Sequence, residues 1–183
     1  MKRMKKEEME IIISNYYDTL NTTDILEREY QKWLEEYSFA SNVPYDAKRV
    51  LWEHITDLDI VWSNMTEFAE KYNDTTVEYI AKEVDKALRL IDPEHWKSNK
   101  TLMSISARNL RRNLNLALPH LKNALSTLLK IGKTMDCTYI KRNSATLWHA
   151  VDVSRLYRAI KGMELCLEMT KRRKLTRKSV GLE

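Results

Sequence analysis

Glycine and proline each occur only three times in the 183 residues, at Gly132, Gly162 and Gly181 and at Pro44, Pro93 and Pro119. Sheet folds need turn residues roughly every 8–12 positions. A chain with so few of them must instead be built from long uninterrupted segments, and the apolar residues of those segments recur at spacings of three and four. Both observations predict an all-α protein. A chain of this length buries roughly 70% of its unfolded surface, enough for a core without disulfide or metal staples.

The pattern predicts a bundle of about six to seven helices. The first covers about Lys5 to Leu20, with Met9, Ile12, Ile13, Tyr16, Tyr17 and Leu20 on one face. Asp24 with Glu27 resembles a capping box for a second helix that buries Leu26, Tyr30, Trp33, Leu34 and Tyr37 and is closed before Pro44. The third runs from about Asp46 to Tyr72 and is the long central one, roughly 40 Å at 1.5 Å per residue. Its stripe includes His54, read as a buried hydrogen-bonded histidine, and Trp62. Thr75 with Glu78 is expected to cap the fourth helix, and Asp92-Pro93 has the form of a helix restart. A helical segment from Thr101 to Ile131 must kink or restart at Pro119. The last helix is expected from Ser144 to Thr170, with a stripe of Val153, Leu156, Ile160, Met163 and Leu167. Residues 1–170 read as a single bundle, with a sub-boundary near 92–101, and 171–183 as a basic tail.

Charge is sorted along this chain. Residues 1–93 carry 12 Lys and Arg against 20 Asp and Glu, a net −8, whereas residues 94–183 carry 19 against 6, a net +13. Such a molecule presents one surface that attracts polyanions and one that repels them. The basic residues cluster at Arg108, Arg111 and Arg112, at Arg155, Arg158 and Lys161, and in the tail at Lys171, Arg172, Arg173 and Lys174. Arg108, Arg111 and Arg112 share one helix face. Guanidinium groups in a row neutralise phosphates without reading sequence. The competing explanation is a solvated face balanced by the acidic half, within one molecule or between copies.

Chemistry-bearing motifs are sparse. Phosphate-binding glycine loops, GxSxG and HExxH are absent, and the histidines and cysteines have no metal-ligand spacing, so no metal or cofactor is expected. Glu27, Glu29, Glu35, Glu36, Glu83 and Asp85 are better explained as solvated helix faces than as a Mg²⁺ set. Cys137 and Cys166 read as reduced thiols. Ile11–Ile13 follows Glu7, Glu8 and Glu10, which is not a secretory pattern, and no run approaches the ~18–20 apolar residues of a membrane span. Cytoplasmic residence is therefore expected.

Two short stretches resemble known motifs. Leu147 to Arg158 has apolar positions similar to a helix-turn-helix with its turn at Val153-Ser154, although an unbroken helix accounts for the same residues with fewer exceptions. Arg142-Asn143-Ser144-Ala145-Thr146-Leu147-Trp148-His149 resembles the signature of the HEPN-family ribonucleases, all-α proteins that cleave RNA without metal. The resemblance covers these eight residues. It implies a dimer in which His149 handles the proton of the ribose 2′-hydroxyl or leaving oxygen and Arg142 stabilises the charged phosphorus centre. A seven-residue step on one helix would place both on a single face.

The sequence as a whole favours a non-catalytic regulator of phage or mobile-element type. It would bind nucleic acid or a nucleic-acid-binding protein through the basic second half. The HEPN-like ribonuclease using Arg142 and His149 is the alternative, and a homo-oligomer pairing acidic with basic halves is a third.

Overall fold

The computed structural model describes residues 24–37, 39–96, 105–132, 139–142 and 145–171. Among these the chain is predominantly helical: α1 (Asp24–Glu36), α2 (Tyr45–Tyr72), α3 (Thr75–Ile91), a 3-10 turn (Pro93–Trp96), α4 (Ala107–Gly132) and α5 (His149–Thr170). The expected helix over 5–20 lies outside the described residues. Two short strands, β1 (Tyr139–Arg142) and β2 (Ala145–Trp148), pair antiparallel ahead of α5.

Helix boundaries follow local chemistry. Pro44, at φ −60° and ψ 146°, is extended and starts α2. Asn73 ends it in the left-handed region at φ 50°, a conformation that asparagine tolerates. Asp74, rather than Thr75, caps α3: its Oδ1 accepts from the N–H groups of Thr76 and Val77 at 3.1 and 3.2 Å. Asp92 Oδ1 accepts from Glu94 N–H at 3.0 Å, and the restart read from Asp92-Pro93 is the 3-10 turn. Ser106 Oγ accepts from Asn109 N–H at 3.1 Å, and Asn42 Oδ1 from Ala107 N–H at 3.3 Å, so α4 starts at Ala107 rather than Thr101.

Helix α4 runs unbroken through Pro119. Pro119 is exposed, as is Asn115 one turn earlier, whose carbonyl loses its helical partner. Helix α5 starts at His149, not Ser144, because the residues before it hairpin back; it then continues without a turn at Val153-Ser154. Tyr139, Ile140, Thr146 and Trp148 are strand-favouring types, and two residues separate the strands.

Helices α2, α3, α4 and α5 pack in a ring, each against two neighbours. Every neighbouring pair is antiparallel. Helices α2 and α3 are joined by Asn73-Asp74. The start of α4 lies beside the approach to α2, where Ala40 N–H donates to Ile105 C=O at 2.8 Å. The end of α5 meets the start of α2, with Cys166 Sγ 3.5 Å from Ala47 C=O, and Asn64, late in α2, reaches Asp152, early in α5. This is an up-down-up-down four-helix arrangement.

One continuous core runs through it, including Leu51, Leu58, Met65, Ile80, Leu114, Leu121, Leu156 and Met163. Helix α1 lies over the start of α2 through aromatic contacts of Tyr30 with Trp52 (ring centroids 5.1 Å apart), and Trp33 with Phe39 (5.2 Å). Trp62 departs from the expected stripe and is 39% exposed, because α2's neighbours cover Leu58, Val61 and Met65 but not its rim.

Candidate nucleic-acid interface

Antiparallel packing sets the first turns of α4 beside the last turns of α5. Arg108, Arg111 and Asn115 from α4 face Lys161, Glu164, Leu165, Leu167, Glu168 and Lys171 from α5 across an open groove of about 790 Å³. Four cations thus meet two carboxylates. Arg108, Arg111 and Arg112 form no ion pair among the described residues. Arg112 and Arg158 are exposed on the same two helices but do not line the groove. The positive end of the α4 dipole and the negative end of α5 lie together here and offset one another, so the potential of the groove rests on its side chains.

The α5 rim is partly compensated. Lys171 Nζ is 2.5 Å from Glu168 Oε1; Lys161 Nζ is 3.7 Å from Glu164 Oε2, and Lys122 Nζ is 3.7 Å from Glu164 Oε1. These are solvent-exposed pairs worth at most about 1 kcal/mol each, which a phosphate can displace. Sequence reasoning passed over Glu164 and Glu168, although Lys161 and Lys171 each stand three positions from one of them, a spacing visible in the chain.

Arg155 is placed differently from the expected surface row. Its side chain is 12% exposed and its Nη1 lies 3.0 Å from Oδ1 of Asp152, itself 3% exposed. Asn64 Nδ2 donates to the same oxygen at 3.5 Å. Burial pushes the Asp152 carboxyl up to about 6, against the opposing pull of Arg155 and Asn64. This guanidinium is committed to the contact between α2 and α5. The tail residues Arg172, Arg173 and Lys174 lie outside the described residues.

Arg142 and His149 do not share a helix face. Arg142 ends β1, where its backbone is in register with Ala145, and His149 opens α5 on the far side of β2. The chain reverses between them, so the seven-residue step is not a helical one.

Two other polar clusters tie the bundle together. Glu83, buried on α3, accepts from His120 Nδ1 at 2.7 Å and from Lys86 Nζ at 3.0 Å. Burial raises its pKa, but the two hydrogen bonds outweigh burial and leave the carboxyl below its usual value. The His54 ring abuts Gly162, so close that a Cβ there would stand 2.0 Å from its Cδ2. The expected buried, hydrogen-bonded histidine is met only in part: His54 is half-buried against the glycine, and its Nδ1, 3.5 Å from Asp57 Oδ2, makes no hydrogen bond among the described residues. No group of three or more potential metal ligands occurs among the described residues, and no helix there is long and apolar enough to cross a membrane.

Compared with known proteins, the chain matches no family model, no curated protein and no solved structure.

Proposed function

We propose that this chain is a non-catalytic helical regulator that binds nucleic acid through the basic face formed by α4 and α5, acting in the cytoplasm. The observation that carries the reading is the pair of cationic rims, Arg108 and Arg111 opposite Lys161 and Lys171, on either side of an open groove. The α4 arginines have no carboxylate partner among the described residues to give up on binding. Arg112 and Arg158 extend positive charge to the flanks, and Asn115 adds an amide able to donate and accept.

Binding of this kind is read by its salt dependence. A labelled 20-nucleotide probe, followed by fluorescence anisotropy over a series of salt concentrations, should give log Kd against log salt a slope of roughly 3–4, the value for about four neutralised phosphates. Arg108→Ala with Arg111→Ala should lower that slope by about 1.5–2 for every probe sequence. Absence of binding at low salt, or binding indifferent to salt, refutes the reading.

A further inference from the structure

The chemistry of the groove discriminates between forms of nucleic acid. We propose that it takes a single strand in preference to a duplex, with Tyr157 as the platform on which a base stacks; this rests on the nucleic-acid reading above.

Three observations point this way. First, the groove lies between two directly packed helices, whose axes stand only about 8–10 Å apart. A channel that narrow admits one phosphodiester strand between its rims, whereas a duplex could only rest across them. Second, the cations stand on both rims, and apolar side chains, exposed Leu165 and half-buried Leu167, line the groove beside them. This arrangement suits a ligand with anionic edges and flat apolar faces, which a single strand offers and a duplex hides. Third, Tyr157 is 44% exposed on the same side of α5, one turn before Lys161, whose Nζ lies 5.6 Å from the ring centroid. An exposed ring at the end of a cationic groove is the combination that binds single strands without sequence preference. Tyr157 to Thr170 is fourteen residues of helix. At 1.5 Å per residue that is about 21 Å, room for roughly six nucleotides at ~3.4 Å per step.

The test uses the full chain with a labelled oligothymidylate 12-mer, the same strand annealed to oligoadenylate, and poly-glutamate as competitor. The single strand should bind at least tenfold more tightly than the duplex. Tyr157→Ala should weaken single-strand binding roughly 5–100-fold, with duplex binding and the salt slope unchanged, and Tyr157→Phe should restore it. Circular dichroism and thermal melting would verify that both variants fold, as expected for an exposed position. Equal or tighter duplex binding overturns the inference, and so does a Tyr157→Ala variant that binds the strand normally. In both cases a salt slope still lowered by the α4 arginine substitutions leaves the broader reading standing. Binding of neither probe overturns both. Displacement of the strand by poly-glutamate at equal charge concentration also overturns the inference, since it identifies an acidic protein as the better occupant.

Discussion

Replacing Gly162 by alanine should destabilise the protein, although a helix-interior glycine-to-alanine change ordinarily stabilises by about 1 kcal/mol. The reason is the imidazole of His54. A Cβ at position 162 would lie 2.0 Å from His54 Cδ2, 2.2 Å from Nε2 and 2.9 Å from Cγ. No real Cβ tolerates such distances, so either the ring swings out of the α2–α5 contact or the two helices separate. Overpacking of this kind costs about 1–3 kcal/mol. Set against the propensity gain, the net loss is of the order of 1 kcal/mol, a fall of about 2–4 °C in Tm for a chain of this size. Urea denaturation of Gly162→Ala, His54→Ala and the double variant measures it. The double variant should be more stable than His54→Ala alone, because once the ring is gone only the propensity gain remains. If Gly162→Ala alone raises the denaturation midpoint, or the two substitutions prove additive, the close approach does not govern this helix contact.

Further outcomes follow from the buried charges and the groove. Asp152 has a folded pKa raised to about 6 from 3.8, so its contribution to stability grows as pH falls from about 6 towards 4; Asp152→Asn should abolish that part of the pH profile in urea titrations. Glu83 has a lowered folded pKa, so the stability it contributes is present above the ordinary carboxyl range and lost as pH falls through the folded value; Glu83→Gln should cost about 1–3 kcal/mol at pH 7 and less at pH 4. Glu164→Gln with Glu168→Gln should tighten nucleic-acid binding at low salt by removing the two carboxylates from the groove, read by anisotropy. Burial pushes the Cys166 thiol up to about 12, so in a Cys137→Ser background a thiol reagent should label the protein only after denaturant is added.

Much of the helical layout was legible in the chain because helices are local. The stretches Tyr45–Tyr72 and Thr75–Ile91 agree with their periodicity to within a residue, and Asn73-Asp74 marks the break between them. The misreadings arose where a signal was long-range or two patterns competed. Trp62 has helical spacing for the core, but how wide a stripe α2 buries depends on which helices flank it. Arg142 and His149 stand seven residues apart, a helical step, yet the strand-favouring residues of Ala145–Trp148 pair with Tyr139–Arg142 instead. That contact took away the shared face expected for Arg142 and His149.

Composition and local spacing determined the helical class, the main breaks and the separation of charge along the chain, since each depends on residues a few positions apart. Tertiary structure alone decided which of those charges share a surface. Antiparallel packing of α4 and α5 brings Arg108 and Arg111 opposite Lys161 and Lys171, some fifty residues onward in the chain. Packing of α2 against α5 buries Asp152, which Asn64 from α2 hydrogen-bonds, and that carboxylate holds Arg155 of its own helix inward. A guanidinium's partner is set by what the fold places within a few ångströms of it, and sequence order carries no record of that distance.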